Sequence, residues 1–164
     1  MKNDVVEVKR IGDRIFMIKL VIGAKIIYVI SVYAPQVGLD METKAKFWED
    51  LDDLIANVGY ESSIFIGGDL NGHVGKDSDN FERIHGGFGF GVRNEKRKSI
   101  LKFMFRHDFV VSNAFFKKRE SHLVTFRNGR NLSQIDFFLA RHRDRSLCKD
   151  CKVIPGEAIA TQHR

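Results

Sequence analysis

The succession of apolar segments predicts an α/β fold, a sandwich in which two mixed sheets pack face to face between helices. Three segments rich in Ile and Val come first, and an amphipathic helix and a short apolar strand follow them. Asn128-Gly129, a strong hairpin signal, then adds antiparallel strands. The 164 residues are 43% apolar and contain no linker or repeat, so we expect one domain over 1–164.

The first part of the chain is predicted to form two hairpins followed by a helix. The turn signals Gly12-Asp13 and Gly23-Ala24 separate three strands, expected at 5–9, 14–21 and 26–33. Asp40 is a suitable N-cap for a helix over 41–58. The buried face of this helix is predicted from apolar residues spaced three or four apart, which are Trp48, Leu51, Ile55 and Val58.

The later elements alternate between strands and a second helix. A short apolar strand over 62–66 runs into Gly67-Gly68-Asp69, and the glycine-rich segment 72–93 after it is predicted to be a surface loop. Asn94 is expected to cap a helix that ends near His107. The inward face of this helix would consist of Ile100, Leu101 and Met104. The remaining strands are expected at 109–112, 123–126, 134–140 and 153–154.

The charge balance fits a polyanionic partner but does not require one. Lys and Arg outnumber Asp and Glu by 27 to 21, which gives a formal net charge of +6 and a pI near 9.4. The excess collects in three clusters, KRK (96–98), KKR (117–119) and RHRDR (141–145). Such clusters attract nucleic acid, yet they also occur as merely solvated surface.

Hydropathy and cysteine usage favour an intracellular protein, nuclear or cytoplasmic. Lys19 and Lys25 interrupt the most apolar stretch, 15–32, which therefore does not read as a membrane span. The first ten residues lack the apolar part of a signal peptide. Cys148 and Cys151 form one CxxC pair, whereas a structural zinc site needs four ligands, so we expect reduced thiols without metal.

Asp69 and Asn71, in IFIGGDLN (64–71), are the first candidates for chemistry. On an extended segment, residues two apart point to the same face, so a carboxylate and an amide would converge on one water or ion. Hydrolysis of a phosphodiester needs an oriented water, a base and usually a divalent metal. The alternative is a glycine-rich turn in which both side chains bond their own backbone.

Four blocks together resemble the endonuclease/exonuclease/phosphatase family, and within it the endonuclease domain of non-LTR retrotransposons. They follow the family's order and cover nearly the whole chain: SVYAPQ (31–36), IFIGGDLNGHVG (64–75), SQIDFFLA (133–140) and TQHR (161–164). The resemblance implies a DNA endonuclease that hydrolyses phosphodiesters with Mg²⁺ or Mn²⁺. Its expected partner is DNA, and no membrane is expected to be involved. A missing N-terminal segment or a reverse transcriptase domain in a longer parent chain would be a further partner.

The resemblance assigns roles to five residues at motif positions. Tyr33 would contact the scissile phosphate, Asp69 would activate the attacking water, and Asn71 would orient it. Asp69 and Asn71 would also hold the metal. Asp136 would orient His163 and favour its charged ring beside the phosphate. The alternatives are an ordinary strand-end acid for Asp136 and a frayed chain end for His163.

Departures from the family pattern predict weak activity. The family's first strands carry an Asn and a metal-binding Glu, and nothing N-terminal to Val5 supplies either; Glu7 is expected to be a solvated strand residue. The family's Ser-Asp-His is Thr161-Gln162-His163 here, and its final strand is missing. A divalent ion held by one carboxylate should bind weakly. We therefore expect a truncated domain that is inactive or feeble, a non-catalytic remnant that binds nucleic acid or protein, or a truncated product without a stable fold.

DNA contacts are predicted from two loops at the edge of the site. The candidate groups are Arg127 and Arg130 on the hairpin and His85, Arg93 and Asn94 in the loop. Cations there would meet phosphates rather than read bases. Phe126, where relatives often have a Trp, either touches DNA or belongs to the core.

Overall fold

Two compact units make up the chain, Met1–Asn71 and Gly72–Arg164. The computed structural model describes residues 4–78, 80–92, 98–156 and 163. The first unit contains a mixed sheet and an α-helix, and the second contains short strands, an α-helix and 3-10 helices, which confirms the α/β class. Within the described ranges, no helix has both the length and the apolar character needed to cross a membrane.

The sheet of the first unit contains strands β1 to β4 in that spatial order. Their bounds are Val5–Ile11, Ile15–Ile22, Lys25–Tyr33 and Ser63–Asp69. β2 is antiparallel to β1 and to β3, whereas β4 is parallel to β3. The predicted strands are confirmed, and β4 extends farther than predicted, to Asp69. The parallel register places Tyr33 opposite Asp69.

Helix α1, Met41–Ala56, begins after its predicted N-cap and ends two residues earlier than predicted. The backbone N–H of Thr43 donates to Asp40 Oδ1 at 2.7 Å, which satisfies one of the donors exposed at the helix start. The buried face consists of Phe47, Leu51, Leu54 and Ile55. Trp48, predicted to point inward, is only half-buried because the buried stripe starts one residue earlier, at Phe47.

The two faces of the first unit's sheet differ in burial. On one face the apolar side chains are buried, and they include Ile15, Met17, Ile30, Val32, Ile64 and Ile66. On the opposite face several large apolar side chains are exposed, among them Val8, Phe16, Ile22 and Val29. β2 and β3 therefore have apolar side chains on both faces, a pattern typical of a sheet that is covered on both sides.

The second unit contains helix α2, Lys98–Arg106, and strands β5 to β8. The strands span Phe109–Val111, Phe126–Asn128, Asn131–Ser133 and Asp136–Arg141. β5 pairs with β8, and β6 pairs with β7, both antiparallel. The inward face predicted for α2 is confirmed, because Ile100, Leu101 and Met104 are buried. The predicted cap of this helix, Asn94, lies outside the described residues.

The C-terminal hairpin differs from its prediction. β6 and β7 are joined by the two residues Gly129-Arg130, where Gly129 has a φ of 58°. The strand predicted over 134–140 is confirmed as β8, but the prediction that it returns directly from the hairpin is wrong, because β7 pairs with β6. The chain leaves β7 at Ser133 and starts β8 at Asp136, because β8 pairs with β5 and not with β6.

Two further predictions of local structure are wrong. Residues 153–154 form no strand; the backbone N–H of Val153 donates to the carbonyl of His122 at 2.9 Å instead. The segment 72–93 is not simply a surface loop, because Val74 and Ile84 are buried and Ile84 accepts a backbone hydrogen bond from Val111 at 2.9 Å. The glycine-rich composition suggested a surface loop, but two apolar residues of the segment, Val74 and Ile84, pack into the core of the second unit.

Candidate functional site

Asp69 ends strand β4, and close contact with β3 fixes its position. The backbone N–H of Ala34 donates to the Asp69 carbonyl at 2.8 Å, and the residue is only 7% exposed. Gly68 before it has a φ of 143°, and a Cβ there would lie 2.0 Å from the carbonyl oxygen of Val32. No side chain fits at that separation, so glycine is required where β4 delivers Asp69.

Asn71 does not continue the strand, so the prediction that Asp69 and Asn71 share one face of an extended segment is wrong. Asn71 has a φ of 47°, in the left-handed region that Asn tolerates better than most residues. Its backbone N–H donates to Asp69 Oδ1 at 2.6 Å, and its side-chain Nδ2 donates to the Ala34 carbonyl at 2.7 Å. The turn offered as the alternative is present only in part, because Asp69 accepts a bond from its own segment whereas the Asn71 side chain bonds the backbone of Ala34.

The hydrogen bonds of this turn do not occupy every oxygen lone pair of Asp69 and Asn71. A carboxylate has two oxygens and about four lone-pair positions, so the bond from Asn71 leaves Asp69 able to act as a ligand or base. With Nδ2 directed at Ala34, the Asn71 amide presents its carbonyl oxygen on the other side. Carboxylate and amide oxygens are ligands that Mg²⁺ accepts, although one carboxylate makes a weak site.

Tyr33 is the last residue of β3, and its side chain is 42% exposed. Its hydroxyl accepts a hydrogen bond from Gln36 Nε2 at 3.1 Å, and the guanidinium of Arg14 lies 5.3 Å from the ring centroid. Since Tyr33 pairs with Asp69 across the two parallel strands, both motif residues lie at the same end of the first unit's sheet.

Asp136 begins β8 in the second unit, and Thr125 fixes the backbone there. The buried hydroxyl oxygen Oγ1 of Thr125 accepts hydrogen bonds from the backbone N–H of Ile135 at 3.0 Å and of Asp136 at 3.1 Å. The sequence interpretation missed Thr125. A buried hydroxyl at the start of a hairpin whose return segment carries the candidate acid is the signal that could have identified it.

His163 contacts Asp136 within the second unit. Its Nδ1 lies 3.3 Å from Asp136 Oδ2, and its ring meets the ring of Phe126 edge to face with centroids 5.0 Å apart. Its backbone also forms an antiparallel bridge with Phe126. His163 is therefore attached to the hairpin rather than frayed. Donation from Nδ1 to a carboxylate fixes the imidazole tautomer, as the resemblance requires.

The residues predicted to bind DNA differ in their exposure, and two of them lie outside the described part of the chain. Arg127 on β6 and Arg130 in the following turn are both exposed, so they are available to a ligand. Arg93 and Asn94 lie outside the described residues. His85 is 1% exposed, and its Nδ1 accepts a hydrogen bond from the Gly87 N–H at 3.1 Å, so the prediction that its loop presents it to DNA is wrong. That loop turns inward at the apolar Ile84.

The CxxC pair holds two free thiols. Burial raises the pKa of Cys151 to about 11, and nearby Cys148 acts in the same direction. Cys151 is therefore protonated at neutral pH, which makes it a poor nucleophile.

Comparison with solved structures defines the class. The endonuclease domain of TRAS1, a telomere-specific non-LTR retrotransposon, matches with a TM-score of 0.58 and 13% identity over 86% of this chain and 58% of that one. An AP endonuclease from Archaeoglobus fulgidus matches with a TM-score of 0.55 and 19% identity over 87% and 60%. The chain thus has the mixed α/β fold of the endonuclease/exonuclease/phosphatase proteins, which confirms the resemblance found in the sequence.

Among curated proteins, craniofacial development protein 2 is similar to this chain. The protein from Bos taurus is 33% identical over 138 residues, and the one from Tragulus javanicus is 32% identical over the same length. The match covers 83% of this chain, but the chain spans only about a quarter of the length of those relatives, 23% and 24%. No protein-family model matches the sequence.

Proposed function

We propose that this chain supplies part of the site of a retrotransposon-derived, metal-dependent endonuclease that hydrolyses phosphodiester bonds in DNA. The observation that carries the proposal is the Asp136–His163 pair, held by Thr125 and Phe126, in a chain with a nuclease-type fold. A buried carboxylate-bearing strand end, IFIGGDLN, supplies the other chemical group. An intracellular location belongs to this proposal, since the substrate is DNA.

Each side chain has one task in the proposed reaction. Asp69 takes the proton of the attacking water, and Asn71 holds that water through its carbonyl oxygen. Asp136 holds the imidazole of His163 so that the charged ring faces the phosphate that becomes pentavalent. Tyr33 contacts a phosphate oxygen through its hydroxyl. Mg²⁺ or Mn²⁺, when held by Asp69 and Asn71, would offset the charge that develops on the phosphate.

Metal affinity and activity of these 164 residues are proposed to be low. Asp69 is the one carboxylate in IFIGGDLN, and the sequence contains no match to the family's Asn and Glu strands. Because hard divalent ions need several oxygen ligands, a site with one carboxylate requires a high metal concentration. The relatives are about four times as long, so a reverse transcriptase or further nuclease strands in the parent protein are part of the proposal.

A plasmid-nicking assay at high Mg²⁺ or Mn²⁺ concentration tests the proposal. We expect slow, metal-dependent nicking that falls at least about 100-fold in Asp69→Asn and in Asp136→Asn, because each removes a group that acts in the transition state. Glu7→Gln, which removes an exposed carboxylate from β1, is the matched control and should nick like the parent.

Nicking that survives Asp69→Asn, or that proceeds in EDTA, would contradict the proposal. A second candidate function is a binding module without catalysis. The net charge of +6 and the presence of a single carboxylate, Asp69, in IFIGGDLN favour it. For such a module, DNA affinity falls steeply with salt, is indifferent to Mg²⁺ and Asp69→Asn, and is not accompanied by nicking at any metal concentration.

A further inference from the structure

Two basic clusters of the second unit have no part in the proposed reaction. They are KKR (117–119) and the end of RHRDR (141–145). Both belong to a pair of neighbouring segments, 115–122 and 145–153, which we call the basic ribbon. The first segment begins at the last residue of a 3-10 helix over Ser112–Phe115, and the second begins within a 3-10 helix over His142–Leu147, which follows β8.

The two segments of the basic ribbon run side by side in the same direction. Three contacts join the segments, and their order is the same along both. Near the start, the Arg145 guanidinium lies 4.3 Å from the Phe115 ring centroid, and in the middle Lys118 Nζ lies 2.6 Å from Asp150 Oδ1. Near the end, the Val153 N–H donates to the His122 carbonyl at 2.9 Å. His122 Nδ1 adds a contact of 2.9 Å with the Val153 carbonyl. These contacts bring the cations of the two segments into one region of the second unit.

Most of the chain's excess positive charge lies on this surface. The two segments contain six cations against the acids Glu120 and Asp150, a balance of +4 out of +6 for the whole sequence. Asp150 is already neutralised in place, because Lys118 donates to it, holding the pKa of the Asp150 carboxyl below its ordinary value, and Lys152 lies 3.9 Å away. Asp150 thus orients Lys118 and Lys152, and it has no close contact with the other cations of the two described segments that would cancel their charge.

Three cations of the basic ribbon are exposed and available to a ligand. Lys117, Arg119 and Lys149 are all exposed, and within the described part of the chain none of them has an ion-pair partner. Six cations accompany only two acids in these segments, so the like charges repel one another and the region gains free energy when a polyanion approaches.

We propose that the basic ribbon binds the phosphate backbone of nucleic acid as a contact surface additional to the hairpin residues Arg127 and Arg130. DNA carries one negative charge per about 1.7 Å of helix axis. An extended acidic peptide offers at most one per about 3.3 Å. Cations on two adjacent segments match the denser polyanion. The ribbon ends at His122, three residues before Thr125, so it leads toward the backbone that holds Asp136.

Fluorescence anisotropy with a labelled mixed-sequence DNA duplex in EDTA, over a range of salt concentrations, tests this proposal apart from catalysis. The test variant combines Lys117→Gln, Arg119→Gln and Lys149→Gln. The matched control, Lys9→Gln, Lys25→Gln and Lys102→Gln, removes the same charge from exposed sites elsewhere. We expect the test variant to lose at least about tenfold in affinity and to reduce the salt slope by about three, because three phosphate contacts disappear.

The control variant is expected to bind within about twofold of the parent. A third variant, Lys117→Arg, Arg119→Lys and Lys149→Arg, keeps the charge and should bind like the parent, which separates loss of contacts from loss of folding. Equal losses in the test and control variants would overturn the proposal in favour of attraction by net charge alone. If the test variant loses binding to polyglutamate but not to DNA, the partner is an acidic protein and the nucleic-acid proposal fails. Nicking activity has no bearing on any of these outcomes.

Discussion

At the scale of single residues, Gly68 shows how the backbone fixes the position of the candidate residue Asp69. The strand reaches Asp69 only by passing so close to β3 that no Cβ is tolerated, and the φ of 143° lies where L-residues are strained. The carboxylate is thus delivered by a backbone geometry that one glycine makes possible. Resemblance identified Asp69 from the motif, but the reason for the glycine before it is visible only in the register of the two strands.

Gly68→Ala is expected to destabilise the first unit strongly. The new methyl would meet the Val32 carbonyl at 2.0 Å and occupy a strained φ, for a combined cost of about 2–5 kcal/mol. Denaturant titration followed by circular dichroism measures the loss. Gly38→Ala is the matched control, because no atom lies within 4 Å of the point that its new methyl would occupy and its φ is not in the left-handed region. Equal stability of the two variants would contradict the close approach.

At the scale of secondary structure, the elements that were predicted correctly are those whose pattern is local. β1, β2 and β3 end within two residues of their predicted ends because glycine turns separate runs of Ile and Val. The strand predicted over 134–140 is present as β8, but its predicted pairing in the hairpin was wrong because its partner, β5, is distant in sequence. The prediction that Asn71 continues the extended segment was wrong for a related reason. The Ala34 carbonyl that accepts a hydrogen bond from the Asn71 side chain belongs to another loop.

The start of helix α1 gives a pH-dependent prediction at the same scale. The backbone hydrogen bond from Thr43 holds the pKa of Asp40 below its ordinary value of 3.8. A carboxyl with a lowered pKa in the folded state stabilises that state above the unfolded pKa, and the contribution disappears as the pH falls through the folded pKa. Asp40→Ala should therefore lower the Tm at pH 7, and the difference from the parent should shrink below about pH 4.

Thermal melts of parent and variant from pH 7 to pH 3 measure this difference. Glu61→Ala removes an exposed acid outside the helix and should shift the Tm little at any pH. A Tm gap for Asp40→Ala that stays constant through pH 3 would show that the cap acts through shape and not through its charge.

At the scale of the whole molecule, composition predicted a basic, core-forming chain but not where its surfaces lie. β2 has apolar residues on both faces, yet Phe16 and Ile22 on one of them are exposed. Apolar residues on both faces are typical of a sheet that is covered on both sides, so this exposure could not be predicted from the strand pattern. The same limit applies to the basic ribbon, because KKR (117–119) and RHRDR (141–145) are distant in sequence and only tertiary contacts bring their segments together.

The exposed apolar face of the first unit's sheet should make the purified chain self-associate. Val8 and Val29 both pair with Ile18, and Phe16 lies on the same face of β2, so these side chains form a continuous patch; Val8 is 58% exposed. Patches of this kind drive association because burying them releases about 25 cal/mol per Å². Light scattering should show mass rising with concentration, and Val8→Thr, Phe16→Thr and Val29→Thr together should suppress it while keeping residues that favour strands. Val37→Thr with Leu147→Thr removes exposed apolar groups outside the sheet and should leave association unchanged. A parent chain that remains monomeric over the whole concentration range would mean that the face is too small or too well hydrated to act as an interface.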